Sequence, residues 1–247
     1  MTIIAFNRYW VVRWPWVCVN FLAVLLLLGL SLWQWQRAQE KYQTLERIAD
    51  WKKLGAANVF SLLATSADNR DGVYMEFSGR WLAPAVWLLD NRLVNGRAGY
   101  DVLIAVKDTS SPETTPAILL NLGWVAAPAS RASLPVIEVP PVLTVQGIFR
   151  TRTKGVLLGT NIENNDHWPI RIQQVDSSLL SNAIDTSLVP GVVYQEKNSP
   201  FVIHYRPVML PPERHKAYAL QWFLLALAVV VVALAASGGK KIQEPQQ

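Results

Sequence analysis

The chain holds three histidines, His167, His204 and His215, and a single cysteine, Cys18. The histidines are widely separated in sequence and no cysteine pair exists, so no structural zinc site or intrachain disulfide is expected. Gly-x-Ser-x-Gly, P-loop and Gly-x-Gly-x-x-Gly motifs are missing, and no serine, histidine and acid set stands out, so an enzyme is not expected. His204 alternates with Val202, Ile203 and Tyr205 in a predicted strand and reads as a sheet-face residue, while His167, between Asp166 and Trp168-Pro169, reads as part of a turn. His215 differs by its place, between Arg214 and Lys216 at the head of an apolar run that begins at Ala217. On a helix, residues 215, 218, 219, 222, 226, 229 and 233 share one face, which reads His, Tyr, Ala, Trp, Ala, Val, Ala. Two readings stay open. Ala219, Ala226 and Ala233 let this helix approach another closely, with His215 as an interfacial cap. Alternatively, the imidazole stands above an aromatic-flanked groove between two helices, where a neutral ring nitrogen is a good ligand for haem iron.

The elements that would position His215 are two membrane spans and the domain between them. The first apolar run, Val17 to Trp33, is flanked by Trp10, Trp14, Trp16 and Trp35, where indole prefers the lipid boundary, and by Arg8 and Arg13. A cleavable signal peptide is the rival reading, but no small-x-small pattern follows the run, and an uncleaved anchor is expected. The expected organisation is a short N-terminal tail over 1–15, a first transmembrane helix over 16–36, an extramembrane domain over 37–211, a second transmembrane helix over 212–236 and a disordered tail over 237–247. Ala38, Tyr42, Leu45, Ile48 and Ala49 recur at helical spacing, so the extramembrane domain should begin with an amphipathic helix that Gly55 and Asn58 close. Beyond Asp68 short extended runs follow, at 73–81, 86–90, 102–107, 117–125, 143–150, 156–159, 192–197 and 201–206. Their spacing predicts a small, mainly antiparallel sheet that curls or closes, interrupted by one helix over Val175 to Ile184 and a crossover marked by Pro128, Pro135, Pro140 and Pro141. The fold class is thus a membrane protein of α+β type, two transmembrane helices flanking a β domain. A formal net charge of +5 with dispersed Lys and Arg gives no nucleic-acid surface, and charge alone leaves the orientation open.

Several strings in this sequence resemble a known family. Pro212-Glu213-Arg214-His215-Lys216-Ala217-Tyr218-Ala219-Leu220-Gln221-Trp222-Phe223 is similar to the start of the second transmembrane helix in the surfeit-locus-one family of cytochrome c oxidase assembly proteins. Trp33-Gln34, Arg37 and Lys41 resemble that family's exit from the first helix. Leu89-Asp90-Asn91-Arg92, Gly96, Gly99-Tyr100, Leu120-Asn121-Leu122-Gly123-Trp124-Val125, Trp168-Pro169 and Arg206-Pro207 resemble its extramembrane motifs. Two positions depart: Ser31 stands where the family usually has glycine, which predicts less close packing at that turn, and Leu122 stands where an arginine commonly precedes the Gly-Trp pair.

The resemblance implies an assembly factor or chaperone of the respiratory chain, in the bacterial cytoplasmic (inner) membrane, with both termini cytoplasmic and the β domain periplasmic. It would help haem A insertion into the core catalytic subunit of cytochrome c oxidase, holding the cofactor transiently. In this reading His215 ligates the iron, Tyr218 and Trp222 line the macrocycle, Ala219 gives room, and Arg37, with Lys41, faces the propionates. The implied partners are that core subunit, haem A synthase and membrane lipid. Two rivals remain: a membrane-anchored scaffold that stabilises the unfinished subunit without touching haem, and a tethered hydrolase or sensor with Asp90, Arg92, Asp101 and His167 around one cleft.

Overall fold

A computed structural model describes residues 2–5, 8–11, 13–151, 160–163 and 167–241. The expected strand at 156–159 and the turn residue Asp166 lie outside them. The chain divides into two compact units, a helical one built from residues 1–45 and 208–247 and a β unit over Glu46–Pro207.

The helical unit is a pair of long apolar helices. Helix α1 runs Trp14–Leu54, and its residues up to Leu45 belong to this unit. Helix α4 runs Pro212–Ser237. Pro212 opens α4, where its missing N–H is lost to no helical bond and its fixed φ suits the first turn, and Glu213 follows where the helix dipole favours an acid. At a rise of ~1.5 Å per residue, α4 is roughly 39 Å long and covers a hydrocarbon layer of about 30 Å. Both helices are long and apolar enough to cross a membrane, and the chain is a membrane protein.

The two helices run antiparallel along a seam that the sequence writes in steps of four and three. On α1 the covered positions include Asn20, Val24, Leu27, Ser31, Gln34 and Ala38; on α4 they include His215, Ala219, Trp222, Ala226, Val229 and Ala233. A 3.5-residue repeat of this kind keeps one stripe facing the partner. The alanines are the tightest points, with Ala38, Ala219 and Ala226 buried. Ser31, expected to loosen the packing, does the reverse: its hydroxyl donates to the Ala219 carbonyl at 2.8 Å, so a small side chain both permits the approach and bonds across it. The tails also differ from the expectation. Strands β1 (Thr2–Ala5) and β2 (Arg8–Val11) pair antiparallel, and β9 (Gly238–Lys241) joins β2, so part of the stretch read as a disordered tail satisfies its backbone in a sheet.

The β unit is organised around a closed ring of strands. Strands β3 (Tyr74–Val94), β4 (Arg97–Asp108), β5 (Ala117–Ala126), β6 (Val142–Arg150) and β8 (Leu188–Gln195) pair in the order β4-β5-β8-β6-β3, and β3 returns to pair with β4. Most pairs are antiparallel; β5–β8 is parallel, as is the short β7 (Ile170–Ile172) added beside β3. Closure removes the free edges that an open sheet presents. All five ring strands send side chains to one inner core, including Leu88, Ile104, Leu120, Val145 and Val193, and helix α2 (Val59–Ala64) adds Val59 and Leu62. Alternate residues of β4 and β5, such as Leu103 and Leu119, face a second core under α3 (Ser177–Ala183). With both faces covered, these strands read as continuous apolar runs rather than as an alternation.

Several boundaries move. The runs at 73–81 and 86–90 are one strand whose register shifts between Trp81 and Val86, so the inward parity changes from Phe77 to Val86. Gly55, at φ 103°, ends α1 as expected, but Asn58 opens α2 instead, its side chain accepting from the Ser61 amide at 2.8 Å. Of the amphipathic stretch, Ala38 and Ile48 are buried while Ala49 is exposed. The run 201–206 is not a strand: apart from one bridge between Trp124 and Val202, it is an irregular segment.

Because Ile104 is fully buried in the barrel, Ile104→Ala should cost about 2–5 kcal/mol of stability. Leu93→Ala, at a side chain 72% exposed, should change stability by less than about 0.5 kcal/mol; denaturant unfolding followed by tryptophan fluorescence separates the two.

Candidate functional site

In the helical unit, His215 does not point into solvent. It is half-buried in the seam, and its Nδ1 lies 2.8 Å from Oε1 of Gln34 on the facing helix. An amide oxygen only accepts, so in the neutral ring Nδ1 carries the hydrogen and Nε2 carries the lone pair. A ring nitrogen fixed by such a partner is the usual arrangement behind a metal-ligating histidine. The Gln34 contact is one that sequence reading missed, quoting the glutamine only as part of a motif. Its signal was present: Ser31, Gln34 and Ala38 continue the seam in steps of three and four.

The other expected site residues separate. Trp222 is half-buried on the same flank of α4 as His215, and Tyr218 is 41% exposed beyond it. Ala219 is buried against α1, and its carbonyl accepts from Ser31, as the close-approach reading has it. Arg37 is exposed, paired with Glu40 one turn on at 2.9 Å and placed over the Trp33 ring. Lys41 is the more covered of the two cations leaving α1.

The opposite flank has its own features. A groove of about 340 Å³ is lined by Ser31, Trp35, Lys216, Ala219 and Phe223. At its head Lys216 lies over the rings of Trp35 and Tyr42, and the Tyr42 hydroxyl donates to Glu213 at 2.9 Å. This cluster ties the first turn of α4 to α1 with one cation, one acid and two aromatic rings. Amphipathic rings and cations of this kind favour the boundary of a bilayer.

The β unit carries a second polar centre. Its foundation is Asp101, buried at 3% exposure, which meets His204 Nε2 at 2.5 Å, Asn121 Nδ2 at 3.1 Å and Arg92 Nε at 3.6 Å. The proposed cluster is thus half assembled: Asp90 and Arg92 line one cleft beside Asp101, but the imidazole present is His204, not His167. His204, read as an ordinary sheet-face residue, was hidden from sequence because Asp101 stands about a hundred positions away. Leu122, at the family's usual arginine position, lies inside the barrel core. Among the described residues no group of three His, Cys, Asp or Glu side chains converges as a metal site.

Near this centre, Tyr194 stacks on Tyr205 with ring centroids 3.9 Å apart, and Arg150 donates to the Tyr205 hydroxyl at 2.8 Å. Burial, then the neighbouring Tyr205, pushes the Tyr194 phenol up to about 12.

An antiparallel pair of membrane helices carrying a polar His–Gln contact, with a closed β barrel encoded between them, defines a class: a two-span, membrane-anchored β-barrel protein. The family model of the SURF1 family matches residues 21–227, and the chain belongs to that family. The family is linked to the assembly of cytochrome c oxidase. A comparison with curated proteins returns no match.

The raised phenol of Tyr194 makes a pH prediction. The folded value of about 12 lies above the ordinary 10.0, so its contribution is intact below pH 10 and is lost as pH rises toward 12. Thermal unfolding of the β unit should show falling stability across that window, and Tyr194→Phe should reduce the fall.

Proposed function

We propose that this protein is an assembly factor that holds haem A transiently and assists its delivery to the core subunit of cytochrome c oxidase. The observation that carries the reading is the His215–Gln34 contact, which leaves Nε2 of a half-buried imidazole as the lone-pair nitrogen at one end of the helical seam. When bound, a haem supplies an iron that accepts such a nitrogen, and a macrocycle with an apolar body and anionic propionates. His215 offers the ligand, Gln34 holds its tautomer and orientation, and Trp222 and Tyr218 supply aromatic surface on the same flank. Arg37 and Lys41 are the cations available to the propionates; Arg37 would first have to leave Glu40, an exposed pair that is worth little. A single protein ligand suits a carrier, because transfer requires release.

In this reading the chain sits in a bacterial cytoplasmic membrane with the β domain periplasmic and both termini cytoplasmic. It handles a cofactor and catalyses no reaction, and haem A synthase is the natural donor.

The test is the visible spectrum of the full chain purified from cells that make haem A. Bound haem is expected in the wild type, with loss in His215→Ala and roughly a tenfold or greater weakening in Gln34→Leu. A protein that is haem-free in every preparation, yet co-purifies with the oxidase core subunit, would replace this account with the scaffold.

A further inference from the structure

The β unit contains a cleft of about 370 Å³ that the haem reading leaves unused. It is made by a local irregularity in the sheet. Between the pairs Leu89–Asp101 and Arg92–Gly99, two residues of β3, Asp90 and Asn91, stand against one residue of β4, Tyr100. Such a bulge re-aims the side chains around it. Asn91 takes φ 60° there, a left-handed conformation that asparagine tolerates better than most residues. Gly99 is required on the facing strand, since a Cβ would lie 2.5 Å from Trp124 Nε1 and closer still to the Val125 carbonyl. That same indole N–H donates to the Arg92 carbonyl at 3.2 Å, which fixes the backbone of the arginine.

Three arginines converge at this bulge. Arg131 donates to buried Asp90 at 2.7 Å and is itself 68% exposed at the side chain. Arg171 is buried, stacks on Tyr100, is paired with Glu163 and donates to the Arg131 carbonyl at 2.7 Å, holding the loop that carries Arg131. Arg92 is different. Among the described residues its guanidinium makes no hydrogen bond, its side chain is 41% exposed although its Nε, like that of Arg171, is buried, and its nearest carboxylate, Asp101 at 3.6 Å, is already engaged by His204 and Asn121. A guanidinium presents five donors in a planar fork that matches a carboxylate or phosphate. Arg92 lines the cleft partly open to it and without a hydrogen bond of its own, so its donors are available to an anionic ligand there. The remaining wall is apolar, formed by Leu93, Ala127, Pro128 and Ala129.

We propose that this cleft binds a small organic anion, with a carboxylate or phosphate head against Arg92 and Arg131 and an apolar body along Leu93 and the Ala127–Ala129 loop. Its size lies at the small end of ligand pockets, which fits a compact molecule. The site is independent of His215.

The test is calorimetric titration of the full chain in detergent micelles with benzoate and with phenyl phosphate. Saturable binding of at least one probe is expected, and the tighter of the two identifies the head group. Arg92→Gln and Arg131→Gln should each weaken it about tenfold or more, while Arg97→Gln, an exposed charge on the adjacent hairpin, and His215→Ala should leave it unchanged. Arg131→Gln is the variant expected to keep the fold, because its guanidinium is largely exposed and the glutamine amide retains a donor for buried Asp90. Binding that never saturates, that falls equally in Arg97→Gln, or that survives in folded Arg131→Gln would overturn the proposal.

Discussion

Two apolar helices in a bilayer gain almost nothing by hiding leucine from lipid, so what joins them must be close packing and the few polar groups they can share. That constraint governs the helical unit of this protein. Ala38, Ala219 and Ala226 let the backbones approach, and Ser31 uses the short distance to bond the Ala219 carbonyl. Gln34 and His215 come next along the same seam and satisfy each other. Replacing the alanines with larger residues would separate the helices and strand those polar groups in an environment without water. Packing and site chemistry are therefore one property of the 3.5-residue repeat.

The seam also fixes the setting of one histidine. An imidazole at a membrane boundary ordinarily rotates to reach water and can carry its hydrogen on either ring nitrogen. Here the facing amide selects Nδ1 and leaves Nε2 as the basic atom. On the other flank, Lys216, Trp35, Tyr42 and Glu213 lock the first turn of α4, which limits how far His215 can shift. The β unit solves a different problem by similar means: closing the ring removes exposed strand edges, and the bulge at Asp90 and Asn91 converts a regular ladder into a cleft.

How much of this could be read from the sequence followed the range of the interactions involved. The two spans, Gly55 as a stop, the curling β domain and the crossover through Pro128 to Pro141 were legible, since each depends on local periodicity or on a residue's own backbone preference. His215 was singled out because of its position at the head of an apolar helix. Its partner was not, because a glutamine between two tryptophans looks like ordinary boundary polarity until the facing helix is placed. Ala219 carried two readings, room for a ligand and close approach of the helices, and its burial and the Ser31 bond fit the second. Asp101 was named for its cluster with Asp90 and Arg92, but its contact with His204 was not, because nothing local marks a meeting that only the tertiary fold creates. The run at 201–206 has strand-like composition, yet it lies beside Trp124 through a single bridge and leaves the sheet.

The central claim is that the protein holds His215 as a fixed tautomer with an available Nε2. Solid-state nitrogen NMR of the full chain in lipid bilayers, with ¹⁵N-labelled histidine and assignment by difference against His215→Ala, tests it without any ligand. The account predicts, at a pH where the ring is neutral, a protonated Nδ1 and an unprotonated Nε2 for His215, with the pattern lost in Gln34→Leu. A neutral ring protonated at Nε2, or a tautomer mixture indifferent to Gln34, would contradict it.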